Sequence, residues 1–147
     1  MSGMHERVQA MRESGDPARL ASAIPYAKFV GIGVRLEEGR IVGVMPFADH
    51  IVGNPALPAL HGGTLGSLLE STAIFTVLWD VQSESLPKTI NITIDFLRSA
   101  RPVDTFAQAV ITKLGRRVVN VRAVAWQQNR DKPVAVATAN FLLKSEF

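Results

Sequence analysis

Residues 60–80, LHGGTLGSLLESTAIFTVLWD, constrain what this chain can fold into more than any other stretch. Between His61 and Trp79 there is one charged residue, Glu70, set among Leu65, Leu68, Leu69, Ile74, Phe75, Val77, Leu78 and Trp79. Apolar side chains on nearly every face predict a single long helix buried in a core. A membrane span is disfavoured: three glycines weaken the run, and a carboxylate at a helix centre costs about 2.5–3.5 kcal/mol there.

A lone carboxylate in such a helix is costly. Without partners it loses several kcal/mol of hydration or its pKa rises until it is neutral, so Glu70 is either used or paired. Its helical neighbours at three, four and seven positions are Gly63, Gly66, Ser67, Ala73 and Ile74, which predicts a groove of small side chains beside it. At the helix start, His61, Gly62 and Gly63 offer unpaired backbone N–H groups and the positive end of the helix dipole, a site suited to an oxyanion. A structural reading stands beside this one. Small residues four apart, Gly62 with Gly66 and Gly63 with Ser67, also let two helices approach closely, and a buried Glu can simply be salt-bridged.

With 147 residues the chain is long enough to bury one core without staples. The absence of cysteine excludes disulfides, thiolate catalysis and cysteine-bound metal, and suits a reducing compartment. The N-terminus MSGMHERVQAMRESGDP has no apolar core of a signal peptide, so a cytoplasmic location with no membrane partner is expected. Residues 97–130 hold seven basic side chains against Asp104 alone, a local +6 in a chain of net +3. An anionic partner is expected. Stacking aromatics there are limited to Phe106 and Trp126, so a small phosphorylated ligand is preferred over nucleic acid, with solvated strand faces as the plainer alternative. His5 and His50 lack partners at ligand spacing, and no metal site is expected.

The chain order follows from turn signals and periodicity. Residues 1–23 form an N-terminal helical segment, broken at Ser14-Gly15-Asp16-Pro17 and expected to be peripheral; residues 24–147 form the main domain. Residues 31–37 and 40–46 make a hairpin about Glu38-Gly39. Residues 48–59, with Gly53, Asn54, Pro55 and Pro58, should form an ordered loop without regular structure. After the helix, residues 89–96 alternate Ile90, Ile92, Ile94 and Phe96 inward with Thr89, Asn91, Thr93 and Asp95 outward. Three more strands are expected over residues 105–114, 117–127 and 133–143. The sum is an α+β fold in which a twisted antiparallel sheet of about six strands wraps one long helix.

The segments GNPALPALHGGTLGSLLES, INITIDFLRSARPVD and LGRRVVNVRAVAW resemble the PaaI-type acyl-CoA thioesterases of the hotdog fold. In that family a His-Gly-Gly motif opens the central helix and an Asp or Glu follows nine positions after the histidine; His61, Gly62, Gly63 and Glu70 match it. The resemblance, spanning residues 24–143, implies a hotdog fold and hydrolysis of an aromatic or short- to medium-chain acyl-CoA. Glu70 would be the general base or the nucleophile, and Gly62 N–H the oxyanion donor. His61 and Asn54 would orient the site. Gly63, Ser67 and Thr89 would line it, and Arg98, Arg101, Arg116 and Arg117 would meet the phosphates of coenzyme A, which enters only as part of the substrate. The resemblance also implies a homodimer with shared active sites, in a dimer of dimers. A hotdog hydratase or dehydratase, or a non-catalytic acyl-CoA-binding module, would present much of the same pattern.

Overall fold

The computed structural model describes residues 3–143; the remaining two residues of the expected N-terminal segment and four of the expected main domain lie outside the described residues. The elements run α1 (Met4–Ser14), α2 (Pro25–Val30), β1 (Gly33–Glu37), β2 (Arg40–Met45), β3 (Val52–Asn54), β4 (Ala59–Leu60), α3 (Gly62–Val81), β5 (Lys88–Phe96), β6 (Thr105–Leu114), β7 (Val118–Trp126) and β8 (Ala135–Leu142). Six strands form one antiparallel sheet in the order β1-β2-β6-β7-β8-β5, and α3 packs across its inner face. This is the hotdog arrangement.

The sheet can hold a thick helix because its inner face is shallow. Ala107, Ala109, Ala123, Ala125, Ala135, Ala137 and Ala139 are all buried there, leaving a trough for Leu68, Leu69, Phe75, Val77 and Leu78, each fully buried. Burial of each of these five is worth about 1.5–3 kcal/mol. On β2, Gly43 marks the closest approach: a Cβ there would lie 2.0 Å from Thr72 Oγ1 and 3.2 Å from Leu68 Cδ1. At the β1–β2 turn, Glu38 and Gly39 have φ of 52° and 77°, the left-handed pair that a two-residue hairpin needs.

Four details depart from the sequence reading. Residues 25–30, for which the sequence reading gives no element, form a helix, α2, because Pro25 suits a first helical turn and Gly31, at φ 97°, ends it. Residues 48–59 are not free of regular structure: a 3-10 turn over Asp49–Ile51 leads into the β3–β4 ladder, with Pro55 and Pro58 in the turn between its strands. In β5 a bulge at Ile90 breaks the alternation, so Thr89 pairs with buried Phe141 and shares its helix-facing side, while Ile90 is 53% exposed. The N-terminal segment is not merely peripheral, since Val8 and Leu20 are fully buried in the core.

That segment also secures the far end of α3. Arg12 donates to the Trp79 carbonyl and stacks on the Trp79 ring, and His5 Nδ1 donates to the Gln82 carbonyl at 2.8 Å, placing basic groups at the negative end of the helix. Asp80 sits in the same place with the opposite charge. Burial raises its pKa above the ordinary carboxylate value, against the opposing pull of Arg12 and Arg40. A raised folded-state pKa means that Asp80 favours the folded state below its unfolded pKa and loses that contribution as pH rises through the folded value. Asp80→Asn should therefore melt above wild type at neutral pH. The gap should shrink as pH falls to about 3, which melting curves across that range would show.

Candidate active site

The helix start is held by three backbone contacts. Leu60 N–H donates to the Ala100 carbonyl at 3.0 Å and His61 N–H to the Ile51 carbonyl at 2.8 Å. Gly53 lies so close to His61 that a Cβ would stand 2.7 Å from its Cα. Held in extended geometry, His61 is the N-cap of α3, and its Nδ1 accepts from Gly63 N–H at 2.9 Å. With Nδ1 accepting, the neutral ring carries its proton on Nε2. Thr64 N–H and Oγ1 both donate to the His61 carbonyl, at 3.0 and 2.6 Å. Among the described residues, the Gly62 N–H is left without an acceptor.

Glu70 lies two turns along. From Ser71 to Trp79 every residue of α3 is buried, whereas Gly63 is exposed and Gly62, Gly66, Ser67 and Glu70 are half-buried. Part of this small-residue face serves the chain's own β5: Cβ atoms at Gly62 and Gly66 would meet the Phe96 ring at 3.3 Å and Ile94 Cδ1 at 3.0 Å. The open stripe is Gly63, Ser67 and Glu70, with Ser67 Oγ donating to the Gly63 carbonyl at 2.9 Å. No cation pairs with Glu70 among the described residues, so the salt-bridge reading finds no partner there.

The other nominated residues divide by position. Asn54 sits in β3, beside the helix start, and its Oδ1 accepts from Ala56 N–H at 3.0 Å, which commits the amide oxygen to the turn. Thr89 is half-buried near the end of β5 remote from Phe96. Arg98 donates to the Pro133 carbonyl at 3.0 Å, and the backbone of Arg101 is tied in both directions to the Gln127 side chain. Both arginines flank Ala100 and so lie near His61. Arg116 and Arg117 occupy the β6–β7 turn at the other end of the sheet. Ten residues of extended chain separate Arg117 from Gln127, about 33 Å, so the four arginines do not form one cluster within a chain. Phe96, against Gly62, is the neighbour that sequence reasoning left out of the site; only its inward place in the β5 alternation pointed to it.

A groove of about 1050 Å³ between α1 and the following 3-10 turn, lined by Met4, Arg7, Met11, Arg19 and Leu20 among others, holds none of these residues and lies toward the opposite end of α3. Among the described residues, no group of three or more His, Asp or Glu side chains converges as a metal site would require, and no helix is long and apolar enough to cross a membrane.

The profile of the thioesterase superfamily matches residues 57–134, which include the helix start and Glu70. The chain belongs to the thioesterase superfamily. No curated protein matches the sequence. Among solved structures, a Chromobacterium violaceum protein is 38% identical, covering 97% of this chain and 99% of its own, with a TM-score of 0.75. A phenylacetic acid degradation-related protein of Ralstonia eutropha is 25% identical over 80% of this chain and 89% of its own, with a TM-score of 0.70. A Bacillus halodurans protein solved with CoA shares the fold at 21% identity, covering 96% of this chain and 94% of its own, with a TM-score of 0.75. Within the superfamily, the helix start and Glu70 of this chain form its candidate site.

Proposed function

We propose that the protein hydrolyses acyl-CoA thioesters to the free acid and coenzyme A. One observation carries this reading: a half-buried carboxylate with no cation partner among the described residues lies on the same helix whose first N–H, at Gly62, has no acceptor among them. These are the two groups that acyl transfer needs, a base and an oxyanion donor. Glu70 takes a proton from water as its oxygen attacks the thioester carbon, and Gly62 N–H holds the carbonyl oxygen as it becomes negative. The tetrahedral species then collapses, the C–S bond breaks, and the proton passes to the leaving sulfur. Glu70 acting as nucleophile through a mixed anhydride uses the same geometry, with water cleaving the anhydride afterwards. The CoA in the Bacillus halodurans relative supports a CoA ester as substrate.

Gly62 and Glu70 are eight residues apart, about 12 Å along one helix, too far for both to act on one carbonyl. A second chain resolves this. β5 is a free edge of nine residues with Ile90 and Phe96 more than half exposed, whereas the other edge, β1, has five residues and carries Arg35 and Glu37. Twofold pairing along β5 sets the start of one β5 beside the end of the other, and brings Glu70 of one chain toward Gly62 of its partner. The same operation places Arg116 and Arg117 of one chain near Arg98 and Arg101 of the other, so the phosphates of one coenzyme A meet guanidinium groups from two chains.

The test of the function is release of free thiol from a panel of acyl-CoAs. Thiol release that depends on Glu70 supports hydrolysis; binding without release, or water addition to an enoyl-CoA instead, overturns it. Replacing Arg98 or Arg101 with Ala should raise KM about tenfold with kcat little changed, and the effect should vanish on a thioester truncated to pantetheine. An equal loss on the truncated substrate would rule out phosphate binding by these residues.

A further inference from the structure

The aromatic surface of α2 is not explained by the fold. Ala27 and Val30 bury the inner side of this short helix, which leaves Tyr26 and Phe29 together on the outer side, 60% and 72% exposed. Their rings are 6.0 Å apart and tilted, and the Phe29 ring meets the His50 ring edge-on at 6.3 Å. Each is within the range at which aromatic rings attract, and a ring that becomes covered removes about 150–250 Å² from water. Adjacent rings left this open mark a place where an apolar group docks.

Position says which group. His50 belongs to the same 3-10 turn as Ile51, whose carbonyl accepts the His61 N–H at 2.8 Å. With Cα atoms 3.8 Å apart along a chain and about 5.5 Å apart across such a hydrogen bond, the His50 backbone lies within about 9 Å of the helix cap. The aromatic shelf therefore begins next to Gly62, where the thioester carbonyl would be held, and extends away from it toward α2. Phe96 borders Gly62 from β5, so apolar surface is continuous with the candidate oxyanion donor on that side as well. An acyl group leaving that carbonyl has a short path to these rings. The rings of Tyr26 and Phe29 present apolar faces with one hydroxyl, which suits an uncharged chain or ring better than the phosphates of coenzyme A.

We propose that Tyr26 and Phe29, bounded by His50, form the subsite that receives the apolar acyl group and so set the acyl preference of the enzyme. This rests on the thioesterase reading above. The experiment compares kcat/KM for acetyl-, octanoyl- and phenylacetyl-CoA in wild type, Tyr26→Ala, Phe29→Ala and Phe29→Leu, with melting temperature and oligomeric state measured on each. The ratios of octanoyl and of phenylacetyl to acetyl turnover should fall about tenfold in both alanine variants. Phe29→Leu should recover the octanoyl ratio and not the phenylacetyl ratio. Ratios that stay at the wild-type value, or a uniform loss on all three substrates together with dissociation of the assembly, overturn the subsite and make the shelf a contact between chains. If wild type releases no thiol from any of the three, the thioesterase reading itself fails and the subsite falls with it.

Discussion

Glu70→Gln is expected to lower thioester hydrolysis by about 10²- to 10⁴-fold while leaving the melting temperature within a degree or two of wild type. The amide is nearly isosteric with the carboxylate, so the groove of Gly63 and Ser67 keeps its shape. What it loses is the ability to take a proton from water or to attack the carbonyl. Among the described residues no cation is paired with Glu70, so the substitution strands no buried positive charge there and has no obvious route to a folding defect. Rates measured by thiol release, with melting followed in parallel, decide the matter. A variant that folds and turns over within a fewfold of wild type would make Glu70 a structural residue.

Gly43→Ala is expected to produce the largest loss of stability. Its Cβ would stand 2.0 Å from Thr72 Oγ1, inside the seam where α3 lies on β2, and Thr72 is itself fully buried with no hydrogen-bond partner for that hydroxyl. The Thr72 side chain, the helix or the strand must shift. Overpacking of this kind costs about 1–3 kcal/mol, which for a chain of this size lowers the melting temperature by several degrees. Thr72→Ala in the same chain removes the atom that collides and leaves no unpaired hydroxyl. The double variant should thus recover most of the loss, and the coupling read from a double-mutant cycle should be well above the few tenths expected of independent sites. Additive effects would place the strain somewhere other than this contact.

Much of the fold was legible because the strongest signals were long. A helix apolar on every side had to be buried, and the β-branched and alanine-rich runs between turn signals place β6, β7 and β8 within a residue or two of expectation. What escaped was short or cooperative. α2 has six residues and is set by Pro25 and Gly31 rather than by periodicity, and the β3–β4 ladder is too brief to leave a pattern around its prolines. A bulge such as that at Ile90 reverses the faces of Thr89 and Ile90 while Ile92 and Ile94 stay inward, and is invisible to a count of alternation. In the site, the His61-Gly62-Gly63 cap and Glu70 could be named from chemistry and spacing, but the capping role of the His61 ring and the Phe96 ring against Gly62 required three dimensions. The arginines show the reverse error: close in sequence, they are carried to opposite ends of the sheet by the full length of β7.

The claim on which the rest depends is that each site takes Glu70 from one chain and the helix start from another, and complementation tests it directly. One inactive chain carries Glu70→Ala, the other Gly62→Pro. Proline suits the first position of a helix, and His61 already has the extended backbone, φ −68° and ψ 130°, that a residue before proline requires. The substitution therefore removes the Gly62 N–H with little cost to α3, although its ring must displace Phe96 by a few tenths of an ångström. Co-refolded in equal amounts, about half of the dimers are mixed, and each mixed dimer has one intact site of two. About a quarter of wild-type thiol release should return from two preparations that are inactive alone; a mixture that stays inactive while containing proven heterodimers would contradict the shared site.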